Sequence, residues 1–352
     1  MRLGILGLPQ AGKTTLFEIL VANAPPRPPG ARQDRVGVVR VPDERVDRLS
    51  AIYQPKKTTF ATLEVVDSQA MGQGGGGAGA KGPDLFAGVR NADALVLVVR
   101  AFEDPSVPHP KATVDAARDL AELEAEILLN DMAIVETRLE RIGKQKRVAK
   151  TVDLEREEVV LVRCKAALDQ ETPLRELQFD KDEERVLRGF QLLSRKPLLV
   201  VFNVGSGQAF TPPGGAREGV AVVALPCADE REVAQLPEAD RAQFREAYGI
   251  SEDGMVMLVR SAYRLLGLIS FLTAGEDEVR AWTIQQGDTA VDAAGAIHSD
   301  LAQGFVRAQV LSYGQFLEAG SEAKAREKGW QRTEGREYRV VDGDILHILH
   351  NK

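Results

Sequence analysis

The stretch Leu3-Gly4-Ile5-Leu6-Gly7-Leu8-Pro9-Gln10-Ala11-Gly12-Lys13-Thr14-Thr15-Leu16-Phe17 contains the full phosphate-loop pattern G-x-x-x-x-G-K-[ST], at Gly7, Gly12, Lys13 and Thr14. An apolar run (Leu3 to Leu6) precedes it, and the helical pattern Leu16, Phe17, Ile19, Leu20 follows. That strand–loop–helix setting separates the motif from a chance glycine turn. Each residue type has a task. Glycines let the backbone bend so that successive N–H groups face an anion, and the new helix adds the positive end of its dipole. The Lys13 ammonium reaches terminal phosphates, and the Thr14 hydroxyl is placed to ligate Mg²⁺. The pattern predicts a site for a nucleoside phosphate, with the amides from Gln10 to Thr15 as its cradle and Pro9 at its edge.

The 352 residues suffice for two or three domains, and 44% hydrophobic with 28% charged residues is ordinary globular composition. No apolar run approaches the ~20 residues of a membrane span, and the loop glycines and Lys13 interrupt any signal-peptide layout. Cys164 and Cys227 form neither a disulfide framework nor a metal cluster and read as buried or incidental thiols. A cytoplasmic, monomeric protein is expected. The net charge of −7 argues against indiscriminate coating of nucleic acid.

Outward from the loop, Ala22 to Gly30 is rich in proline, and no Thr or Ser lies between Thr15 and Ser50. A first-switch hydroxyl for Mg²⁺ is therefore missing. Val36 to Val41 reads as a strand, Glu44 to Tyr53 as a helix and Thr59 to Asp67 as a further strand. Asp67, at the tip of that strand, is placed to hold Mg²⁺ through water. The glycine run Met71 to Gly82 reads as a second switch loop, Leu85 to Ala92 as a helix and Ala94 to Arg100 as a buried strand.

Leu120, Leu123, Ile127, Leu128, Ile134, Val135, Leu139 and Ile142 recur at helical steps, and Leu154 to Leu168 runs back. This is a two-helix projection, with Arg141, Lys144, Lys146, Arg147 and Lys150 near its turn. Such a basic cluster can meet RNA phosphates or serve only as a solvated end. Strand character returns at Lys196 to Asn203 and Val220 to Leu225, and Ser261 to Leu268 reads as a helix. Strand signals follow at Val279–Ile284, Val306–Leu311, Tyr338–Val341 and Ile345–Leu349, with a helix at Val291–Ser299 and a turn at Asp342-Gly343-Asp344. His298, His347 and His350 have no companion ligands at metal spacing and read as structural. The expected architecture is α/β: a phosphate-loop domain with a mostly parallel sheet (1–112 and 196–268), an inserted helical arm (113–195) and a small mixed domain (269–352).

These pieces, in this order, resemble the YchF / Obg-like ATPase family of translation-factor NTPases. The likeness rests on Gly7 to Thr15, on Gly37-Val38-Val39-Arg40-Val41-Pro42-Asp43 and on Val98-Val99-Arg100-Ala101-Phe102-Glu103-Asp104. Its most specific part is Phe271-Leu272-Thr273-Ala274-Gly275-Glu276-Asp277-Glu278-Val279-Arg280-Ala281-Trp282-Thr283, supported by Ile297 to Asp300 and Gly304 to Ala308. The resemblance implies a C-terminal TGS-like (ubiquitin-like α+β) domain, association with ribosomes or RNA, and hydrolysis of ATP in preference to GTP. It also implies a hydrophobic residue in place of the usual catalytic Gln; Met71 stands there.

Three positions depart from the family pattern. The first-switch Thr falls near Ala31, and the second-switch D-x-x-G reads Asp67-Ser68-Gln69-Ala70, where Ala70 resists positive φ. The base-reading motif is Asn203-Val204-Gly205-Ser206. Asn203 can face a purine N7 edge beside Val204, but Ser206 offers no carboxylate to guanine N1 and N2. The reading is a switch protein that binds ATP or GTP with Mg²⁺ and hydrolyses it slowly. Lys13 and Asp67 would be its catalytic groups, and Thr14 and Asp67 its metal-holding groups. The alternative is a non-hydrolysing nucleotide-binding module that acts through its arm and TGS-like domain. A small-molecule kinase would leave the C-terminal domain unexplained.

Overall fold

The computed structural model of the chain describes residues 1–21, 34–68, 86–248 and 253–351. The first-switch position Ala31, the second-switch residues Gln69 to Met71 and the glycine run 71–82 lie outside the described residues.

In chain order the first half contains β1 (Arg2–Gly7), α1 (Lys13–Leu20), β2 (Arg35–Arg40), α2 (Glu44–Tyr53), β3 (Lys57–Thr59), β4 (Thr62–Asp67), β5 (Ala94–Ala101), α3 (Ala116–Lys146) and α4 (Val152–Leu168). It continues with α5 (Lys181–Arg188), β6 (Leu198–Val204), β7 (Val220–Leu225), α6 (Cys227–Gln235), α7 (Glu238–Tyr248) and α8 (Gly254–Leu265). The last part contains β8 (Leu268–Thr273), β9 (Glu278–Gln285), α9 (Ala290–Ile297), α10 (Ser299–Gln303), β10 (Phe305–Ser312), α11 (Tyr313–Ala319), α12 (Glu322–Glu327), β11 (Arg332–Glu334) and β12 (Asp344–His350). Among the described residues, no helix is long and apolar enough to cross a membrane.

The chain divides into two compact units, Met1–Val39 with Glu64–Ser261, and Arg40–Leu63 with Ala262–Lys352. The first is built on a six-stranded sheet of order β2-β4-β1-β5-β6-β7. From β4 through β1, β5 and β6 to β7 every neighbour is parallel. β5 and β6 are buried along their whole length, as the apolar runs 94–99 and 198–202 require in a sheet covered on both faces. In such a sheet ligands bind beyond the carboxyl ends of the strands. Gly7, Asp67, Ala101 and Val204 all end strands there.

The expected two-helix projection is α3 and α4, and it is less separate than the boundary at 113 implied. The first half of α3 contributes Leu120, Leu123 and Ile127 to the core under β5 and β6, whose own share includes Leu97 and Phe202. Its second half contributes Val135 and Ile142 to another core, with Val160, Leu161, Cys164 and Leu187. Arg138 bridges α3 to α4 by a forked pair with Glu157, at 2.6 and 2.7 Å. Of the basic cluster, Lys146 is already committed to Glu158, while Arg141, Lys144, Arg147 and Lys150 are exposed.

Where α3 passes between its two cores, the buried Asp131 accepts from the backbone N–H of Leu193 (3.0 Å) and Ser194 (2.7 Å). Burial pushes this carboxyl above its usual range, and these hydrogen bonds pull the other way. Asp131→Ala would orphan both amides and is expected to cost about 2 kcal/mol or more. Asp131→Asn, which keeps one acceptor, should cost less. Urea denaturation of the two variants checks this order.

The second unit corrects the expected division. Residues Arg40–Leu63, assigned from sequence to the nucleotide domain, cluster with the C-terminal residues. The strand read as Thr59 to Asp67 is two strands. β4 joins the first sheet, but β3 pairs in parallel with β9 in a sheet of order β11-β10-β12-β8-β9-β3. α2 follows it: Arg45 binds Asp342 (2.8 Å), and Tyr53 stacks on Phe316 and donates to Glu322 (2.7 Å). The helix read to Leu268 ends at Leu265, and Gly267, at φ +62°, turns the chain into β8. Tyr338 to Val341 is not a ladder strand; only an isolated bridge, Thr289 to Arg339, occurs there. His298 is the N-cap of α10, its Nδ1 accepting from Asp300 N.

Candidate functional site

The loop between β1 and α1 is held by a few backbone contacts and two glycines that cannot be replaced freely. A Cβ on Gly7 would lie 2.4 Å from the Val98 carbonyl oxygen, so β1 and β5 meet here only because that side chain is absent. Gly12 caps α1 at φ +101°, and Gln10 sits at φ +62°. Left-handed backbone at a non-glycine residue is stored strain, of a kind that turns successive amides toward one point.

Lys13 is 7% exposed, and its Nζ donates to the carbonyls of Gly7 (3.0 Å) and Leu8 (2.8 Å). The ammonium is thus folded over the loop. Thr14 Oγ1 donates to Asp67 Oδ2 at 3.5 Å, and Asp67 is fully buried beside Ile5 in the β1–β4 register. A hydroxyl and a carboxylate that meet at one long contact fit a Mg²⁺ position, the hydroxyl as direct ligand and the carboxylate through water. Ser68, the next residue, donates to the Ile5 carbonyl and fixes the end of β4.

A cavity of about 590 Å³ opens at the loop and is lined by Pro9, Gln10, Gly12, Lys13, Thr14 and Thr15. Asn203 and Val204 also line it, so eight of the expected residues meet in one space. Ala11 is buried behind the loop, and Asp67 is reached through Thr14. Asn203 does more than the sequence suggested: Nδ2 donates to the Ala11 carbonyl (3.1 Å) and Oδ1 accepts from Cys227 N (3.1 Å). It braces the loop against α6. An amide nitrogen carries two hydrogens, so this role is compatible with one bond to a base edge.

Gly205 and Ser206 of the base-reading motif line the cavity as well, whereas the sequence did not mark Phe102, Glu103, Asp104, Val107, Ala228 and Arg231 as site residues. Phe102 to Asp104 leave the end of β5, shaped by Arg100. That buried guanidinium sits over the Phe102 ring at 4.4 Å and donates to the Phe102 and Asp104 carbonyls. Ser106 donates twice to Asp104 and holds its carboxyl below the usual range. The rule that ligands lie past strand ends would have found this loop. Cys227 is buried and its thiol is pushed up to about 12, and burial puts Cys164 at about 11. Both thiols are thereby held in the protonated form at neutral pH, away from the thiolate that acts as nucleophile.

A parallel sheet with this loop at the end of β1, a buried lysine over it and a hydroxyl–carboxylate pair beside it defines a phosphate-loop NTPase domain. The sequence model of the YchF-GTPase_C family, described as a protein of unknown function (DUF933), matches residues 268–351. The Ribosome-binding ATPase YchF of Bacillus subtilis (strain 168) is 36% identical over 361 residues, covering 99% of this chain and 98% of that protein. Its namesake from Escherichia coli O157:H7 is 34% identical with the same coverage. The solved structure of the Schizosaccharomyces pombe YchF GTPase superposes with a TM-score of 0.82 at 28% identity, covering 99% of this chain and 97% of that one. This chain belongs to the YchF family.

Proposed function

We propose that the chain is a Mg²⁺-dependent nucleotide switch that binds ATP, with GTP as the alternative base, hydrolyses it slowly and works on the ribosome. The observation that carries this reading is that Lys13 and Thr14 line one cavity on a glycine-built cradle, with the Asp67 carboxylate behind Thr14. The amides of Gln10 to Thr15 would hold the phosphates, Lys13 would neutralise β/γ charge, and Thr14 with Asp67 would hold the ion. Mg²⁺ bound there would supply charge neutralisation at the terminal phosphates. The sequence supports slow turnover: no Thr or Ser lies between Thr15 and Ser50, and Met71 stands where a polar side chain would orient water.

Two relatives over 30% identical carry the name ribosome-binding ATPase, which supports ribosome association and adenine as the base. Ser206 at the cavity wall removes one support for GTP selectivity, because it gives guanine no carboxylate, and it offers no acid for an adenine-specific contact either. Contact with ribosomal RNA would fall to the exposed Arg141, Lys144, Arg147 and Lys150 of the arm and to the TGS-like unit. Single-turnover hydrolysis and co-sedimentation with ribosomes, each with ATP and with GTP, test the reading. Hydrolysis of ATP together with ribosome binding supports it. Tight binding without turnover would leave a nucleotide-binding module, and absence of both would overturn the proposal.

A further inference from the structure

A buried guanidinium stands near the Asp67 carboxylate. Arg35, the first residue of β2, places Nη1 4.0 Å from Asp67 Oδ2 and 3.8 Å from Glu18 Oε1. Its guanidinium carbon lies 4.4 Å from the centroid of the Phe17 ring, and only 12% of the side chain is exposed. Among the described residues neither Nη1 nor Nη2 makes a hydrogen bond. A guanidinium recruited as a structural ion pair normally closes a fork on its carboxylate at under about 3 Å. This one is held by stacking and by two long-range charges, with donors in reserve. Holding it there is costly, because burial of a charge with unfilled donors is unfavourable.

The carboxylate oxygen it faces is the one that accepts from Thr14 Oγ1. Hydroxyl, carboxylate and guanidinium therefore converge on the place where the ion of the proposed function would sit. The sequence has no Thr or Ser between Thr15 and Ser50 to complete a metal shell, and Arg35 puts a fixed positive charge in that interval. Guanidinium and Mg²⁺ both neutralise Asp67 and both attract phosphate, so they compete for one task.

Resting on the nucleotide-binding reading, we propose that Arg35 is a resident counter-charge at the metal position. It neutralises Asp67 before the ion arrives and gives the phosphates a cationic partner. Nucleotide affinity in this chain then depends on Mg²⁺ less steeply than the Thr14–Asp67 pair alone would make it.

The test uses the full chain and the non-hydrolysable β,γ-imido analogue of ATP, titrated calorimetrically in excess Mg²⁺ and in EDTA. The readout is the ratio of the two dissociation constants, EDTA over Mg²⁺. In Arg35→Ala this ratio should rise by about tenfold, between the strength of one charge pair in bulk water and that of a pair near a protein surface, and the loss should fall in the EDTA arm. Arg35→Lys should return the ratio toward wild type, because it restores the charge. If Arg35→Ala does not fold, Arg35→Gln, which keeps length and polarity without charge, is read instead. A purely structural role would weaken binding in both arms and leave the ratio unchanged, and that result overturns the proposal. Failure of the wild-type chain to bind in either arm sinks the nucleotide reading and this inference together, whereas wild-type binding with an unchanged ratio sinks this inference alone.

Discussion

Lys13→Ala is expected to lower the single-turnover rate of nucleotide hydrolysis by about 10²–10³-fold, the usual loss when one preorganised charge or donor is removed from a phosphate or oxyanion site. The lysine already stands over the loop, bound to the Gly7 and Leu8 carbonyls and nearly excluded from water. Its charge therefore needs little reorganisation when phosphates arrive. The ammonium exchanges neutral carbonyl acceptors for charged oxygens, and charge-assisted bonds are the stronger kind. Alanine at the first position of α1 favours the helix, so the fold should survive and the thermal midpoint should move by no more than a few degrees. Lys13→Arg is an informative companion, since a planar fork does not reproduce a point charge in so close a space. Rapid-quench measurement on all three proteins decides the matter. Undiminished hydrolysis in Lys13→Ala would mean that the phosphates bind elsewhere.

The loop was legible because its chemistry demands residue types in a fixed local order, and the helix Glu44 to Tyr53 because its apolar period is local as well. Asp67 was legible as an acid at a strand tip. What the sequence hid is non-local. Lys57 to Asp67 has one continuous β character, yet the chain leaves one sheet and enters the other at Phe60-Ala61, and nothing in those residues says which partner strand each half will meet. β8 was hidden by an apolar run that follows α8 with only Gly267 as punctuation. The lining residues Phe102 to Asp104 and Arg231 belong to no phosphate-binding or base-reading motif; they matter because strand ends and a helix start bring them to the same cavity. Asn203 was legible as a functional residue but not as a brace, because its partners Ala11 and Cys227 are distant in sequence.

That brace gives the second large effect. Gly12→Ala is expected to destabilise the chain by about 3 kcal/mol and to abolish nucleotide binding, the sum of two costs. At φ +101° a Cβ is strained, by about 1–2 kcal/mol, and it would lie 2.3 Å from Asn203 Nδ2. Asn203 has little room to retreat: it is 5% exposed, on a strand buried throughout, and its side chain is tied at both ends, to Ala11 and to Cys227. Relief of the clash therefore breaks at least one buried hydrogen bond, at about 1–3 kcal/mol. The two contributions can be separated with Asn203→Ala, which vacates the contested space but leaves the backbone strain. The double variant Gly12→Ala/Asn203→Ala should then be more stable than the sum of the single losses predicts, with a coupling of about 1 kcal/mol or more. Urea denaturation of the four proteins measures it. Strict additivity would show that the loop and Asn203 do not constrain each other. A Gly12→Ala chain that is as stable as wild type would show that the loop tolerates a Cβ. With coupling, the residue that follows Ala11 and the distant asparagine on β6 act as one part, and the cradle's shape depends on both.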